Sequence, residues 1–148
     1  MTSLIIGLGI GKDVYCPVLS KLEHTFYTVD SFKPGAHFQR VENALSVAEF
    51  FDLVIIATPN VTHEQLARTI APYARVVLIE KPGVVSSGAW KNLIKAFPGT
   101  RFMMVKNNQY REEIPSLRQT VSDTSCNFVN LFWHNQNRVP NPGSWFTT

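Results

Sequence analysis

Cysteine is scarce, with only Cys16 and Cys126 in 148 residues. Their separation matches no metal-ligand spacing, redox pair or disulfide framework, which points to a reducing, cytoplasmic setting. No apolar run approaches the roughly 20 residues that a membrane-spanning helix requires. The opening residues carry no cationic stretch or long apolar core, so neither a membrane span nor a secretory signal is expected. Basic residues are scattered without a run, and a net charge of +3 is too small to argue for nucleic acid. There is no internal repeat, no low-complexity segment and no cluster of metal-ligand type. With 45% hydrophobic and 17% charged residues, the chain has the balance of an ordinary soluble globular protein. Its length suits one domain with a real core.

The chain does contain short apolar runs that stop at Gly or Pro turns. Leu4-Ile5-Ile6 runs into Gly7-Leu8-Gly9-Ile10-Gly11, Leu53 to Ala57 into Thr58-Pro59-Asn60, and Val76 to Ile79 into Glu80-Lys81-Pro82-Gly83. Strands are expected at 3–7, 25–29, 53–57, 75–79 and 101–105. Helices are expected at 12–22, 43–50, 62–70, 88–97 and 111–121, and residues 127–135 read as a last alternating strand. In the first helix Val14, Val18, Leu19 and Leu22 share one face. Thr62-x-x-Gln65 has the pattern of a capping box, and Pro115 is tolerated only near a helix start. Strands alternating with helices predict an α/β, doubly wound parallel sheet with helices on both sides. Ligands of such sheets sit at the carboxyl ends of the strands. Three such ends in succession, the last offering Lys81, describe a dinucleotide site with a reactive group beside it.

Gly7 and Gly9 fit the first two positions of the dinucleotide fingerprint G-x-G-x-x-G, but Lys12 stands sixth and Gly11 comes one residue early. The physical requirements are still met. One glycine makes the tight turn, another lets backbone N–H groups approach a pyrophosphate, and the helix start supplies a positive dipole. A phosphate loop of the G-x-x-x-x-G-K-[ST] type is excluded, since Asp13 follows Lys12. Asp30 ends the second expected strand 21 positions after Gly9, where an acid would bind the ribose 2′-hydroxyl. A carboxylate there repels a 2′-phosphate and favours NAD over NADP. Ser31 and Lys33 could still contact a phosphate, which leaves NADP open.

Gly7-Leu8-Gly9, Ala57-Thr58-Pro59-Asn60-x-x-His63-x-x-Leu66-Ala67 and Glu80-Lys81-Pro82 together resemble the glucose–fructose oxidoreductase / inositol dehydrogenase (Gfo/Idh/MocA) family. Asn108-Gln109-Tyr110-Arg111 is similar to the family's segment at the end of the nucleotide domain. Pro140-x-Pro142-Gly143-Ser144-Trp145-Phe146 is similar to a stretch early in its second domain. The resemblance implies a Rossmann-type nucleotide domain over residues 1–124. Residues 125–148 would then begin a truncated substrate and oligomerisation domain. It implies that Gly7, Gly9, Ile10, Gly11, Asp30, Thr58, Pro59, Asn60, His63, Glu80, Lys81 and Asn108 surround the cofactor. Lys81 would act at the nicotinamide and the substrate hydroxyl, and Glu80 would fix its turn. His63 is open between a cofactor role and helix packing. The family's downstream Asp and His have no counterpart, and His134 lies on the wrong element.

Three functions remain. The first is the NAD(P)-binding part of an oxidoreductase acting by hydride transfer on a sugar, polyol or related hydroxy compound. The second is a non-catalytic dinucleotide-binding module that needs a partner. The third is an S-adenosylmethionine-binding, methyltransferase-like domain, for which Ile5-Ile6 stands where an acid is expected. A short-chain dehydrogenase is disfavoured because no Tyr-x-x-x-Lys pair exists. A homo-oligomer or a partner-bound state is expected, since Phe128, Phe132, Trp145 and Phe146 lie in segments that a second domain would cover.

Overall fold

A computed structural model describes residues 1–106, 111 and 113–123. The expected strand at 127–135, Asn108 and everything after Asp123 lie outside the described residues. The chain divides into two compact units, Met1–Val105 and Lys106–Thr148. The second contributes one described helix, α5 (Glu113–Asp123), with Pro115 in its first turn.

The first unit is a five-stranded parallel sheet built from β1 (Thr2–Ile6), β2 (Thr25–Val29), β3 (Phe51–Ile56), β4 (Ala74–Ile79) and β5 (Arg101–Met104). Its spatial order is β2-β1-β3-β4-β5. Connections therefore run outward in both directions from the β1/β3 pair, the point at which such sheets bind ligands. Beyond β2 the outer edge carries a single parallel bridge, Val29 to Phe38. It is held by Asp30 N–H to Phe38 O and Phe38 N–H to Thr28 O, both at 3.0 Å. The irregular segment 32–40 thus adds only this bridge to the ladder, with His37 beside it hydrogen-bonded to Thr28 of β2 through its ring and its backbone N–H.

Helices cover both faces. On one, Leu4, Ile6, Val54, Ile56, Val77 and Ile79 pack under α2 (Val41–Leu45), α3 (His63–Ile70) and α4 (Ser87–Ala96). The helix contacts include Ala44, Ala67, Ile70 and Leu93, all fully buried. On the other, Ile5 and Ile55 pack against Leu19 of α1 (Cys16–Lys21). Each such large aliphatic side chain contributes on the order of 1.5–3 kcal/mol by leaving water. This is the expected doubly wound, three-layer α/β architecture.

Three local expectations are corrected. The first helix begins with a π turn (Gly11–Tyr15), in which Cys16 N–H bonds Gly11 O. The extra residue rotates the face, so Tyr15, Cys16 and Leu19 meet the sheet while Val14, Val18 and Leu22 are exposed. Thr62 does not cap α3. It already has helical backbone angles inside a 3₁₀ turn (Asn60–Thr62), and its hydroxyl donates to Pro59 O at 2.7 Å. The helix expected at 43–50 is the shorter α2, displaced two residues earlier. Ser86 caps α4 instead, accepting from Ala89 N–H at 3.1 Å. Among the described residues, no helix is long and apolar enough to cross a membrane.

Candidate functional site

The carboxyl ends of the strands stay in register one residue past the sheet. Gly7 N–H bonds Val29 O at 2.8 Å, Ala57 N–H bonds Ile6 O at 2.8 Å, and Glu80 N–H bonds Ile56 O at 2.9 Å. The three junctions expected from sequence therefore lie side by side along one edge.

The glycines divide their work by space. Gly7 has φ +99°, and a Cβ there would stand 2.5 Å from Ala57 O, so β1 can leave the sheet beside β3 only as glycine. Gly9 is exposed, and a Cβ on it would meet nothing within 4 Å. That open backbone is what a pyrophosphate would approach. Gly11 is buried, and a Cβ there would come within 2.9 Å of Ile5. It performs the close helix–strand packing of the fingerprint's third glycine. The π turn that starts at Gly11 takes in one additional residue where the glycine comes one early. Ile10 is exposed at the loop's end.

Asp30 organises this loop. Its Oδ2 accepts from Leu8 N–H at 2.8 Å, and its Oδ1 accepts from Phe32 N–H at 2.9 Å and Lys33 N–H at 2.8 Å. Burial pushes its pKa up. The three backbone donors and the Lys33 charge outweigh that and hold the carboxyl below its ordinary value of 3.8. A carboxylate has about four acceptor positions, so three backbone donors leave one of them open. Ser31 donates its hydroxyl to Gln39 O at 3.0 Å, which removes that hydrogen from any phosphate nearby. Phe32, which the sequence reading passed over, is 96% exposed two residues after Asp30.

At the end of β3, Thr58 Oγ1 and Thr62 Oγ1 share a hydrogen bond of 2.7 Å, and Pro59 is exposed. Asn60 Oδ1 is buried without a hydrogen-bond partner, an unmet acceptor at the edge where the loops converge. His63 is fully buried in α3. Its Nδ1 faces Pro82 O at 2.9 Å and its Nε2 faces Thr58 O at 2.8 Å. It joins the β3 and β4 loops and reaches the edge only through them. The Lys81–Pro82 peptide is cis. Gly83 donates to Met104 Sδ at 3.0 Å, and a Cβ there would press on Met104 and Trp90. Lys81 is exposed at the head of this loop. Glu80 Oε2 accepts from Lys81 N–H at 3.1 Å, and Glu80 Oε1 accepts from the hydroxyl of Tyr15. Tyr15 was not among the expected site residues. No signal in the sequence pointed to it, because the π turn that aims it is invisible in composition.

Two cavities lie away from this edge. One of about 470 Å³, lined by Arg75, Pro98, Thr100 and Arg101, opens at the amino end of β4 and β5. It holds none of the expected site residues. Among the described residues, no group of three or more His, Cys, Asp or Glu side chains could hold a metal.

Residues 18–106 match the family model GFO_IDH_MocA, described as an oxidoreductase family with an NAD-binding Rossmann fold. A protein of Amycolatopsis mediterranei (strain S699), described as an oxidoreductase subunit of a UDP-kanosamine synthase, is 26% identical over 97% of this chain and 44% of its own length. The chain thus spans less than half of that relative. The WlbA dehydrogenase of Bordetella pertussis, solved with NADH and UDP-GlcNAcA, matches with a TM-score of 0.72 at 20% identity. That match covers 82% of this chain and 42% of WlbA. GenD2 from gentamicin A biosynthesis, solved with NAD, matches with a TM-score of 0.73 at 25% identity, over 83% of this chain and 39% of GenD2.

Proposed function

The chain belongs to the Gfo/Idh/MocA oxidoreductase family and is an NAD-binding Rossmann domain. From that premise we propose that its carboxyl-edge loops form the cofactor half of a dehydrogenase acting on a sugar or related polyol. The carrying observation is the pairing of an open Gly9 with a loop that Asp30 pins through Leu8, beside the β1/β3 reversal. In this reading Gly7, Gly9, Ile10 and Gly11 present backbone to the pyrophosphate. Asp30 accepts one ribose hydroxyl, and Phe32 offers a ring for the adenine. Thr58, Pro59 and Asn60 line the β3 side, where the unmet Asn60 oxygen would gain a donor. NAD is favoured over NADP because Asp30 is anionic and the Ser31 hydroxyl is already committed.

Bound NAD would supply hydride acceptance. The chain's contribution to the chemistry is Lys81, whose ammonium can hydrogen-bond a substrate hydroxyl and take part in moving its proton. A sugar substrate accords with the family resemblance and with a relative named for UDP-kanosamine. A second reading is a cofactor-binding module without its own turnover. Melting shifts of the 148-residue chain with NAD, NADP and S-adenosylmethionine test the ligand. A shift with NAD alone is expected. A shift with S-adenosylmethionine alone would replace the proposal with the methyltransferase-like reading. Turnover of candidate sugars by a catalytically complete form then separates the dehydrogenase from the module.

A further inference from the structure

We propose that Tyr15 is a positioning residue. Through Glu80 it ties the helix after the glycine loop to the backbone of Lys81, so that the cofactor seat and the reactive lysine are held as one unit. The proposal rests on the dinucleotide reading of the edge for its purpose, but its geometry stands alone. Tyr15 closes the π turn that starts at Gly11, the glycine packed on Ile5. A π turn inside a helix commonly marks a functional position, and here it brings Tyr15 to the sheet-facing side with Cys16 and Leu19. The phenol donates to one oxygen of Glu80, and the other oxygen accepts the Lys81 amide at 3.1 Å. Glu80 itself hangs on Ile56 through its own amide at 2.9 Å. The path runs without a gap from Gly11 to Lys81. Burial, then the hydrogen bond and charge of Glu80, push the Tyr15 hydroxyl far above its ordinary range, so it remains a donor at any working pH.

A merely packed tyrosine would leave the Lys81 amide indifferent to the phenol. Hydrogen exchange on the 148-residue chain, resolved at Lys81, separates the two cases. Tyr15→Phe should speed exchange of the Lys81 amide on the order of tenfold, the effect of weakening one charge-assisted hydrogen bond. Glu80→Gln should speed it at least as much, because a neutral amide accepts more weakly than a carboxylate and only one of its two end atoms can accept at all. The double variant should add little to Glu80→Gln, since both act on one tether. Unchanged Lys81 exchange in Tyr15→Phe, or fully additive effects, would overturn the proposal.

If Tyr15→Phe does not fold, Glu80→Gln with ¹³Cζ-tyrosine NMR decides. Tyr15 should then ionise closer to an ordinary tyrosine, and an unmoved titration would overturn the proposal. The melting shift of the unmutated chain with NAD is read in parallel. Its absence would overturn the dinucleotide reading, while a changed Lys81 exchange would still support the tether.

Discussion

A methyl group at position 7 would sit 2.5 Å from Ala57 O on a backbone at φ +99°, whereas one at position 9 would touch nothing. The two glycines should therefore fail differently. Gly7→Ala is expected to cost at least about 2 kcal/mol in urea denaturation, from strain and backbone collision together. Gly9→Val should leave stability nearly unchanged and abolish NAD binding. Asp30 is readable in its stability profile. Because its folded pKa is depressed, its contribution is present above the ordinary 3.8 and is lost as pH falls through the lower folded value. Melting temperature should thus fall less steeply in strong acid for Asp30→Asn than for the unmutated chain, while the variant is less stable at neutral pH. Glu23 holds a left-handed φ of 56° at the end of α1, with His24 N–H on Leu19 O and Glu23 N–H on Ser20 O. Glu23→Gly should stabilise the chain by about 1 kcal/mol, by removing the cost of a left-handed side-chain residue.

At the scale of elements, the strands and their exits were legible because apolar runs ending in Gly or Pro admit few other structures. Ile6-Gly7, Ala57-Thr58 and Ile79-Glu80 fell where periodicity put them. The first helix was only half legible. Its residues were right, but its face was not, because a π turn depends on the fit of Gly11 against Ile5 and not on any local propensity. Thr62 shows the same limit: a capping-box sequence is overridden when the residue is already wound into a 3₁₀ turn. The Tyr15–Glu80 contact, 65 positions apart in the chain, has no sequence signature at all. It has an alkaline one. Tyr15 binds its proton more tightly when folded, so its contribution is full below the ordinary 10.0 and is lost as pH rises beyond it towards the higher folded value. Tyr15→Phe should remove that alkaline loss of melting temperature.

At the scale of the molecule, strand alternation was enough to foresee a parallel sheet. The order β2-β1-β3-β4-β5 explains why three separated motifs share one edge. The motif pair Thr58-Pro59-Asn60 and Glu80-Lys81-Pro82 was the most informative sequence signal, because a helix and a strand between them return the chain to the same edge. Phe32 stayed hidden, since exposure beside Asp30 is a property of the folded loop. In a catalytically complete form, Lys81→Ala should lower turnover about 10²–10⁴-fold with little loss of cofactor affinity. The 148-residue chain alone is expected to bind cofactor without oxidising sugars or polyols at an enzymatic rate.

The central claim is that the glycine loop and Asp30 together seat NAD. Calorimetric titration of NADH into the chain, its Gly9→Val variant and its Asp30→Ala variant tests it most directly. One saturable site is expected in the unmutated chain, tighter for NADH than for NADPH. Binding should be lost in a still-folded Gly9→Val and weakened about tenfold or more in Asp30→Ala, which loses both the proposed ribose acceptor and the anchor of Leu8. NADH binding that survives Gly9→Val unchanged, or NADPH binding as tight as NADH, would contradict the claim.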